Sequence, residues 1–156
     1  MFDDKQASAR ITALEKKFAH LIEQDPSHWL GIAIGPGWIG IVEALLERIH
    51  HELSPFELRR LRLGQIKQKF AELRVYYDLD GSLARLHVDI VGTTQRMHVV
   101  SGTDNPLSAK VDELIHAAAA QAAHTCECCG APGALVNNGG WMMIVCQLHA
   151  PEGGKQ

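Results

Sequence analysis

The fold is decided by residues 126–149, which read CECCGAPGALVNNGGWMMIVCQLH. All four cysteines of the chain lie in this stretch, where a C-x-x-C pair is followed after sixteen residues by C-x-x-H. Two ligands in one turn can converge on a single cation, and two such turns supply the four ligands of a tetrahedral zinc site. The spacing therefore predicts one structural zinc ion, bound by Cys126, Cys129, Cys146 and His149.

The segment between the two ligand pairs predicts a zinc ribbon. Asn138-Gly139 lies between the apolar runs 134–136 and 141–145, and Asn-Gly in such a place is a strong hairpin signal. Gly130, directly after the second ligand, permits the positive backbone angle that a metal-binding turn needs. We expect a hairpin that connects the two ligand pairs.

Two further residues near the ribbon lie outside the predicted four-ligand set. Cys128 is left over from the four-ligand set and is interpreted as a bystander, since adjacent cysteines chelate one ion poorly. His124 is a competing ligand, because it lies close to Cys126. The division predicted for the chain is an α+β body at 1–124 and a ribbon at 125–150, packed on the body as a single folding unit.

The remainder of the chain has the pattern of an α+β fold. Apolar residues recur at helical spacing in two N-terminal helices and in a third helix that opens at Asn105-Pro106. Strand-like alternation predicts a small antiparallel β-meander before that third helix. The expected helices cover 5–24, about 38–53 and the residues after 105, and the expected strands lie near 60–68, 73–79, 85–90 and 95–100.

Two stretches of the body are harder to interpret. Residues 31–40 contain four glycines and a proline, which predicts a loop. Ser54-Pro55-Phe56-Glu57 forms a good capping box, which favours a helix, while the alternation that follows favours a strand. The choice between helix and strand for residues 54–70 stays open at this point.

Composition limits the classes of protein to consider. The chain has 156 residues and a net charge of −3, so the whole molecule is not an electrostatic nucleic-acid binder. Its first residues lack the basic and apolar regions of a secretory signal, and no apolar run is long enough to span a membrane. We expect a cytoplasmic protein, in which clustered thiols stay reduced and bind metal.

One basic stretch could still bind nucleic acid, although the net charge of the whole molecule is negative. Between residues 59 and 74 there are six basic residues and one acid, Glu72. They could contact phosphate or an acidic protein surface, although a solvated face is the ordinary explanation of such a stretch. The candidate contact residues are Arg59, Arg60, Arg62, Lys67, Lys69 and Arg74.

A third constellation could be catalytic. His87 and Asp89 share the face of one predicted strand, and His98 could lie opposite them. An acid–base pair or a second metal site would use these residues, but strand alternation by itself produces a polar sheet face of this kind.

The predicted zinc site favours a structural role and a binding function. Four protein ligands leave no open position for a catalytic water. Between Cys126 and Ala150 the only charged side chain is Glu127, which suits a protein partner better than phosphate. We therefore expect no enzyme, no catalytic residue and no small-molecule cofactor.

Three motifs of the chain occur together in a known family. They are Gly37-Trp38, Ile66-Lys67-x-Lys69-Phe70-x-x-Leu73-Arg74-x-Tyr76, and Cys126-x-x-Cys129-Gly130-Ala131-Pro132-Gly133 with a later Cys146-x-x-His149. With them the chain resembles an uncharacterised family of small cytoplasmic proteins of bacteria and their prophages. The resemblance covers about residues 37–150, with 82–104 as an insertion; it implies a hairpin at 66–77 and the four zinc ligands, and it supplies no activity. With the negative charge, it favours a protein partner and an inhibitor, immunity or anti-defence role over a nucleic-acid-binding regulator.

Overall fold

The computed structural model describes residues 4–25, 27–80 and 105–151, which form an α+β fold ending in a ribbon. The predicted fold class is confirmed. The strands expected near 85–90 and 95–100 lie outside the described residues, as do His87, Asp89 and His98. The helices are α1 (Asp4–Lys17), α2 (Ile39–Glu52), α3 (Pro55–Arg60) and α4 (Pro106–Ala122); the strands are β1 (Ile32–Ala33), β2 (Leu61–Lys69), β3 (Glu72–Leu79), β4 (Ala134–Asn138) and β5 (Trp141–Val145).

The stretch that the sequence leaves open between helix and strand contains both. The Ser54 hydroxyl accepts a hydrogen bond from the Glu57 N–H at 3.3 Å, and the Glu57 carboxylate accepts one from the Ser54 N–H at 2.7 Å. This capping box begins the short helix α3, which ends at Arg60. Strand β2 follows at once and pairs antiparallel with β3, so the predicted hairpin is present.

Helix α1 is shorter than the sequence predicts, because the chain leaves it to join the sheet. The helix ends at Lys17, although apolar residues continue at helical spacing. The Leu63 N–H donates to the Leu21 carbonyl at 2.7 Å, and the Glu23 N–H donates to the Leu63 carbonyl at 2.9 Å. A parallel bridge between Ile22 and Leu63 therefore replaces the last turns of the expected helix.

The predicted glycine-rich loop at 31–40 also contributes to the sheet. Strand β1 pairs parallel with β2, with Ile32 opposite Ile66. A single 3-10 turn over Pro36–Trp38 then leads into α2, and the Trp38 side chain is completely buried. The sequence does not predict β1, because a two-residue strand has no detectable alternation.

The core lies between the three-stranded sheet and helices α2 and α4. Inward-facing side chains of β3, among them Leu73, Val75 and Leu79, belong to the same buried cluster as the apolar faces of both helices. As predicted, Asn105 caps α4, and its side chain accepts from the Leu107 N–H at 3.1 Å. No helix within the described ranges is long and apolar enough to cross a membrane.

Candidate metal centre

The four predicted ligands come together at the end of α4. One ligand atom from each of Cys126, Cys129, Cys146 and His149 can be chosen so that all four lie within 4.8 Å of one another. The Cys129 and Cys146 sulfurs are 3.7 Å apart, and His149 Nδ1 lies 3.7 Å from the Cys126 sulfur and 3.2 Å from that of Cys146. A tetrahedron with metal–sulfur bonds of about 2.3 Å has edges of about 3.8 Å. The cluster therefore has the size of a tetrahedral metal site.

The first ligand pair lies in a turn closed by backbone hydrogen bonds. The Gly130 N–H donates to the Cys126 carbonyl at 2.9 Å, and the Cys126 N–H donates to the Ala131 carbonyl at 2.7 Å. Gly130 has φ +79°, the left-handed conformation predicted for the residue after the second ligand. The second pair is similar, because the His149 N–H donates to the Cys146 carbonyl at 3.0 Å.

Electrostatics favour a thiolate at Cys146. The His149 imidazole beside the thiol lowers the pKa of Cys146 to about 6, which leaves a good metal ligand at neutral pH. Cys128 differs, because burial and the neighbouring Cys126 raise its pKa to about 11. Cys128 is therefore a protonated thiol beside the site, and neither it nor His124 belongs to the four-residue cluster.

The ribbon strands connect the two ligand turns. Strands β4 and β5 pair in regular antiparallel register from Ala134↔Val145 to Asn138↔Trp141. The two turn residues are Gly139 and Gly140, with φ +62° and +93°, so the turn lies one residue later than Asn138-Gly139. Val136 and Val145 face the small apolar cluster around Cys126, whereas Ile144 belongs to the main core of the body.

The body contacts the first ligand turn through two glycines of residues 31–40, a stretch for which the sequence predicts only a loop. The Gly37 N–H donates to the Glu127 carbonyl at 2.8 Å. A Cβ atom on Gly37 would lie 2.1 Å from the Cys126 carbonyl oxygen and 2.4 Å from the Gly130 nitrogen. At Gly35 a Cβ would lie 2.2 Å from the Glu127 carbonyl oxygen. Only glycine permits this contact between two backbones.

Trp38 reinforces the same contact. Its indole N–H donates to the Thr125 carbonyl at 2.7 Å, directly before the first ligand. Buried indole groups need such a partner, so the Trp38 ring both fills the core and positions the ligand turn. Gly37-Trp38 is a motif of the sequence, but nothing in the sequence predicts its contact with Thr125, 87 positions later.

The structure divides the six basic residues of 59–74 into two groups at opposite ends of β2. At the α3 end, the Arg60 guanidinium binds the Asp80 carboxylate at 2.7 and 2.8 Å, and Arg62 lies opposite Asp78. At the hairpin turn, Lys67 lies opposite Arg74, and Lys69 lies opposite Glu72. Arg59, Arg60 and Arg62 therefore lie toward one end of β2, and Lys67, Lys69 and Arg74 toward the other.

Comparisons with protein-family models, with curated proteins and with solved structures find no match to the chain. The resemblance to the family of small bacterial and prophage proteins therefore stays a prediction.

Proposed function

We propose that a structural zinc ion holds the ribbon on the body, and that the protein is a non-enzymatic binding protein whose ribbon docks a partner protein. The observation that carries this proposal is the surface of the ribbon, which combines exposed apolar side chains with a lack of exposed charge. The metal assignment rests on the donor set.

Zinc is the metal that this donor set favours. Three thiolates and one imidazole at tetrahedral spacing are typical ligands of structural zinc. Four protein ligands complete the coordination sphere, so the ion would stabilise the ribbon and would have no position for a reacting water. We infer that Cys126, Cys129, Cys146 and His149 hold it.

Apolar side chains are concentrated on the outside of the ribbon. Trp141 is 67% exposed, Leu148 91% and Leu135 47%, which are half of the large exposed apolar residues in the described ranges. Aromatic side chains such as Trp141 frequently anchor protein interfaces, because they combine a large apolar area with few rotatable bonds. A partner protein would bury these side chains and gain their transfer free energy.

The one charged side chain of the ribbon is turned inward. The Glu127 carboxylate is half-buried and accepts a hydrogen bond from the Ile144 N–H at 3.2 Å. Burial raises the pKa of Glu127. The ribbon surface offered to a partner therefore has no fully exposed Asp, Glu, Lys or Arg side chain between Cys126 and Ala150, which disfavours phosphate and favours a protein. An inhibitor, immunity or anti-defence role is the kind of activity that this proposal covers.

The proposal is tested by replacing the exposed side chains and measuring partner binding. We expect the Trp141→Ala, Leu148→Ala double variant to reduce binding of a partner, captured from nuclease-treated lysate and then purified, by at least tenfold. The matched control is Leu30→Ala with Phe56→Ala, two side chains that are 65% and 62% exposed on the body. Equal loss in both variants, or no loss in the first, would contradict docking through the ribbon.

A second candidate function is supported by the tip of the β2–β3 hairpin. Phe70 is 46% exposed there, and the Lys69 and Arg74 cations lie 5.3 and 5.8 Å from its ring centre. Lys67 lies over the Tyr76 ring at 4.8 Å. Aromatic rings with basic neighbours can stack on the bases of single-stranded nucleic acid, so this tip is the region that a nucleic-acid-binding regulator would use.

A charge reversal separates the two candidates. If the tip binds nucleic acid, Lys67→Glu should weaken the binding of a single-stranded oligonucleotide and reduce its dependence on salt. Arg59→Glu makes the same charge change at the other end of β2 and should have little effect. Fluorescence anisotropy over a range of salt concentrations gives the measurement, and equal responses of the two variants would argue against a site at the tip.

A further inference from the structure

The two edges of the ribbon differ in how their backbone groups are satisfied. On the β5 edge, the Ile144 carbonyl accepts from the Glu127 N–H at 2.8 Å, and the Ile144 N–H donates to the Glu127 carboxylate at 3.2 Å. The first ligand turn therefore covers this edge. No comparable segment covers β4 in the part of the chain that the structure describes.

The register identifies which groups of β4 point outward. In an antiparallel pair, residues alternate between pointing both backbone groups at the partner strand and pointing both away from it. Ile144 points its groups away from β4, and its cross-strand partner is Leu135. The N–H and C=O of Leu135 therefore point away from β5, and those of Asn137 do the same two residues later.

These outward groups have no hydrogen-bond partner in another segment among residues 4–25, 27–80 and 105–151. Proteins usually protect such an edge with a lysine, a proline or a bulge. Strand β4 has the sequence Ala134-Leu135-Val136-Asn137-Asn138 and pairs without a register shift, so it has none of these protections. As far as the described residues are concerned, the edge is open to another strand.

A groove lies beside this edge on the face of the ribbon that carries Val136. Its volume is about 250 Å³, and its walls include Pro132, Ala134, Val136 and Val145; the proposed metal ligand Cys146 also lines it, and no Asp, Glu, Lys or Arg side chain does. A strand added to β4 would direct alternate side chains over this groove and the others toward Leu135 on the opposite face. Both positions favour uncharged, apolar side chains.

We propose that the β4 edge binds an extended, uncharged apolar segment of a partner protein by strand addition, with backbone hydrogen bonds to Leu135 and Asn137. This inference rests on the proposed function and specifies the chemistry of the partner. A second copy of the chain fits less well. Stable protein interfaces bury roughly 1,200 Å² or more, and pairing along an edge of only five residues would bury much less than that. A peptide segment needs much less area, because affinity comes from main-chain hydrogen bonds and specificity from the alternate side-chain positions.

The probe is a random library of displayed 12-residue peptides, selected on the zinc-loaded full chain. We expect enrichment of uncharged sequences rich in β-branched residues. A synthetic copy of a selected peptide should bind Leu135→Pro at least tenfold more weakly than the wild-type protein, because proline removes the outward N–H at an edge position that tolerates it. Leu135→Ala keeps that N–H and should bind within about threefold of the wild-type protein, since main-chain bonds carry most of the affinity.

Amide exchange in the wild-type protein gives a second readout that does not depend on a variant folding. The Leu135 and Asn137 amide protons should exchange quickly in the free protein and slow at least tenfold when the peptide is bound. The Val136 amide points into the ribbon and should be protected in both states. Unchanged exchange at Leu135 and Asn137 in the complex would overturn the proposal.

The remaining outcomes also decide the question. Failure to enrich any peptide, or equal binding by Leu135→Pro and the wild-type protein, would overturn strand addition. Concentration-dependent dimerisation that Leu135→Pro abolishes would assign the edge to a second copy instead. A partner that requires Trp141 but binds Leu135→Pro normally would leave the proposed function intact and refute strand addition. A partner that binds both Trp141→Ala and Leu135→Pro normally would refute both.

Discussion

In the described part of the chain, two antiparallel hairpins make the same two-residue turn from opposite kinds of residue. In the ribbon, Gly139 and Gly140 take φ +62° and +93°. In the body, Phe70 and Ala71 take φ +53° and +61°. Positive φ costs glycine nothing, but it costs an ordinary L-residue about 1–2 kcal/mol. The ribbon turn is relaxed, whereas the body turn holds strain that its surroundings must offset.

The body hairpin, which has the strained turn, is nevertheless much better buried than the ribbon hairpin. Side chains of β2 and β3, such as Leu63, Ile66 and Val75, are buried in the main core. The ribbon buries only a few residues of its own, with Cys126, Val136 and Val145 at their centre. A cluster of that size cannot stabilise an independent hairpin, so the ribbon depends on its metal and on its contact with the body.

Metal removal should therefore destabilise the ribbon hairpin much more than the body hairpin. We expect this to be the largest change in stability. Metal binding contributes about 10–16 kcal/mol in zinc-finger peptides, and binding and folding free energies are coupled in such sites. We expect chelation, or Cys146→Ser, to abolish amide protection in β4 and β5 while β2 and β3 keep part of theirs. Cys128→Ser is the matched thiol control and should retain the metal. Near-native far-UV dichroism and an unchanged melting temperature after chelation would refute the structural role of the metal.

Disrupting the contact between body and ribbon should give the next largest loss of unfolding free energy. In Gly37→Ala the new methyl group would meet the Cys126 carbonyl oxygen at 2.1 Å. Backbone atoms cannot move aside as a flexible side chain can, so we expect a loss of about 3 kcal/mol in unfolding free energy and weaker metal binding. Differential scanning calorimetry and competition with a chromogenic chelator measure the two quantities.

Gly40 provides the control for that substitution. It lies in α2 with no atom within 4 Å of an added Cβ. Gly40→Ala should therefore raise the unfolding free energy by about 0.5–1 kcal/mol, the usual gain for alanine over glycine inside a helix. If both alanine variants shifted stability in the same direction, close packing of Gly37 against the ligand turn would not be the cause.

The ribbon was predictable because its determinants are local. The two ligand pairs, Gly130 and the glycine turn all act within a few residues of themselves, and their spacing is visible in one sequence. The error of one residue in the turn arose because Asn138-Gly139 and Gly139-Gly140 are both acceptable turn pairs. In the structure the turn is formed by the second pair, Gly139-Gly140. The Asn137 side chain accepts a hydrogen bond from the Gly140 N–H at 2.8 Å.

The features that sequence analysis missed depend on contacts between distant segments. Gly35 and Gly37 have the composition of an ordinary loop, and only the approach of Cys126–Gly130 reveals why glycine is required there. Helix α1 stops early because Leu63, more than forty residues away, offers backbone groups to Leu21 and Glu23. A periodic pattern shows that residues are buried, but it does not show whether a helix or a turn buries them.

A smaller effect than that of Gly37→Ala is expected from exchanging the turn chemistry of the two hairpins. Phe70→Asn with Ala71→Gly should raise the unfolding free energy by about 1 kcal/mol, because it removes the strain of two L-residues at positive φ. The gain is limited because Ala71 is 5% exposed and loses a buried methyl group.

Gly139→Ala tests the reverse change at a position with nothing within 4 Å of the new Cβ, and should cost about 1 kcal/mol through backbone strain. Urea denaturation measures both. If the body variant were less stable than the wild-type protein, the Phe70 and Ala71 side chains would contribute more than their backbone strain costs, and the aromatic tip would be a stabilising element of the body instead of a strained one.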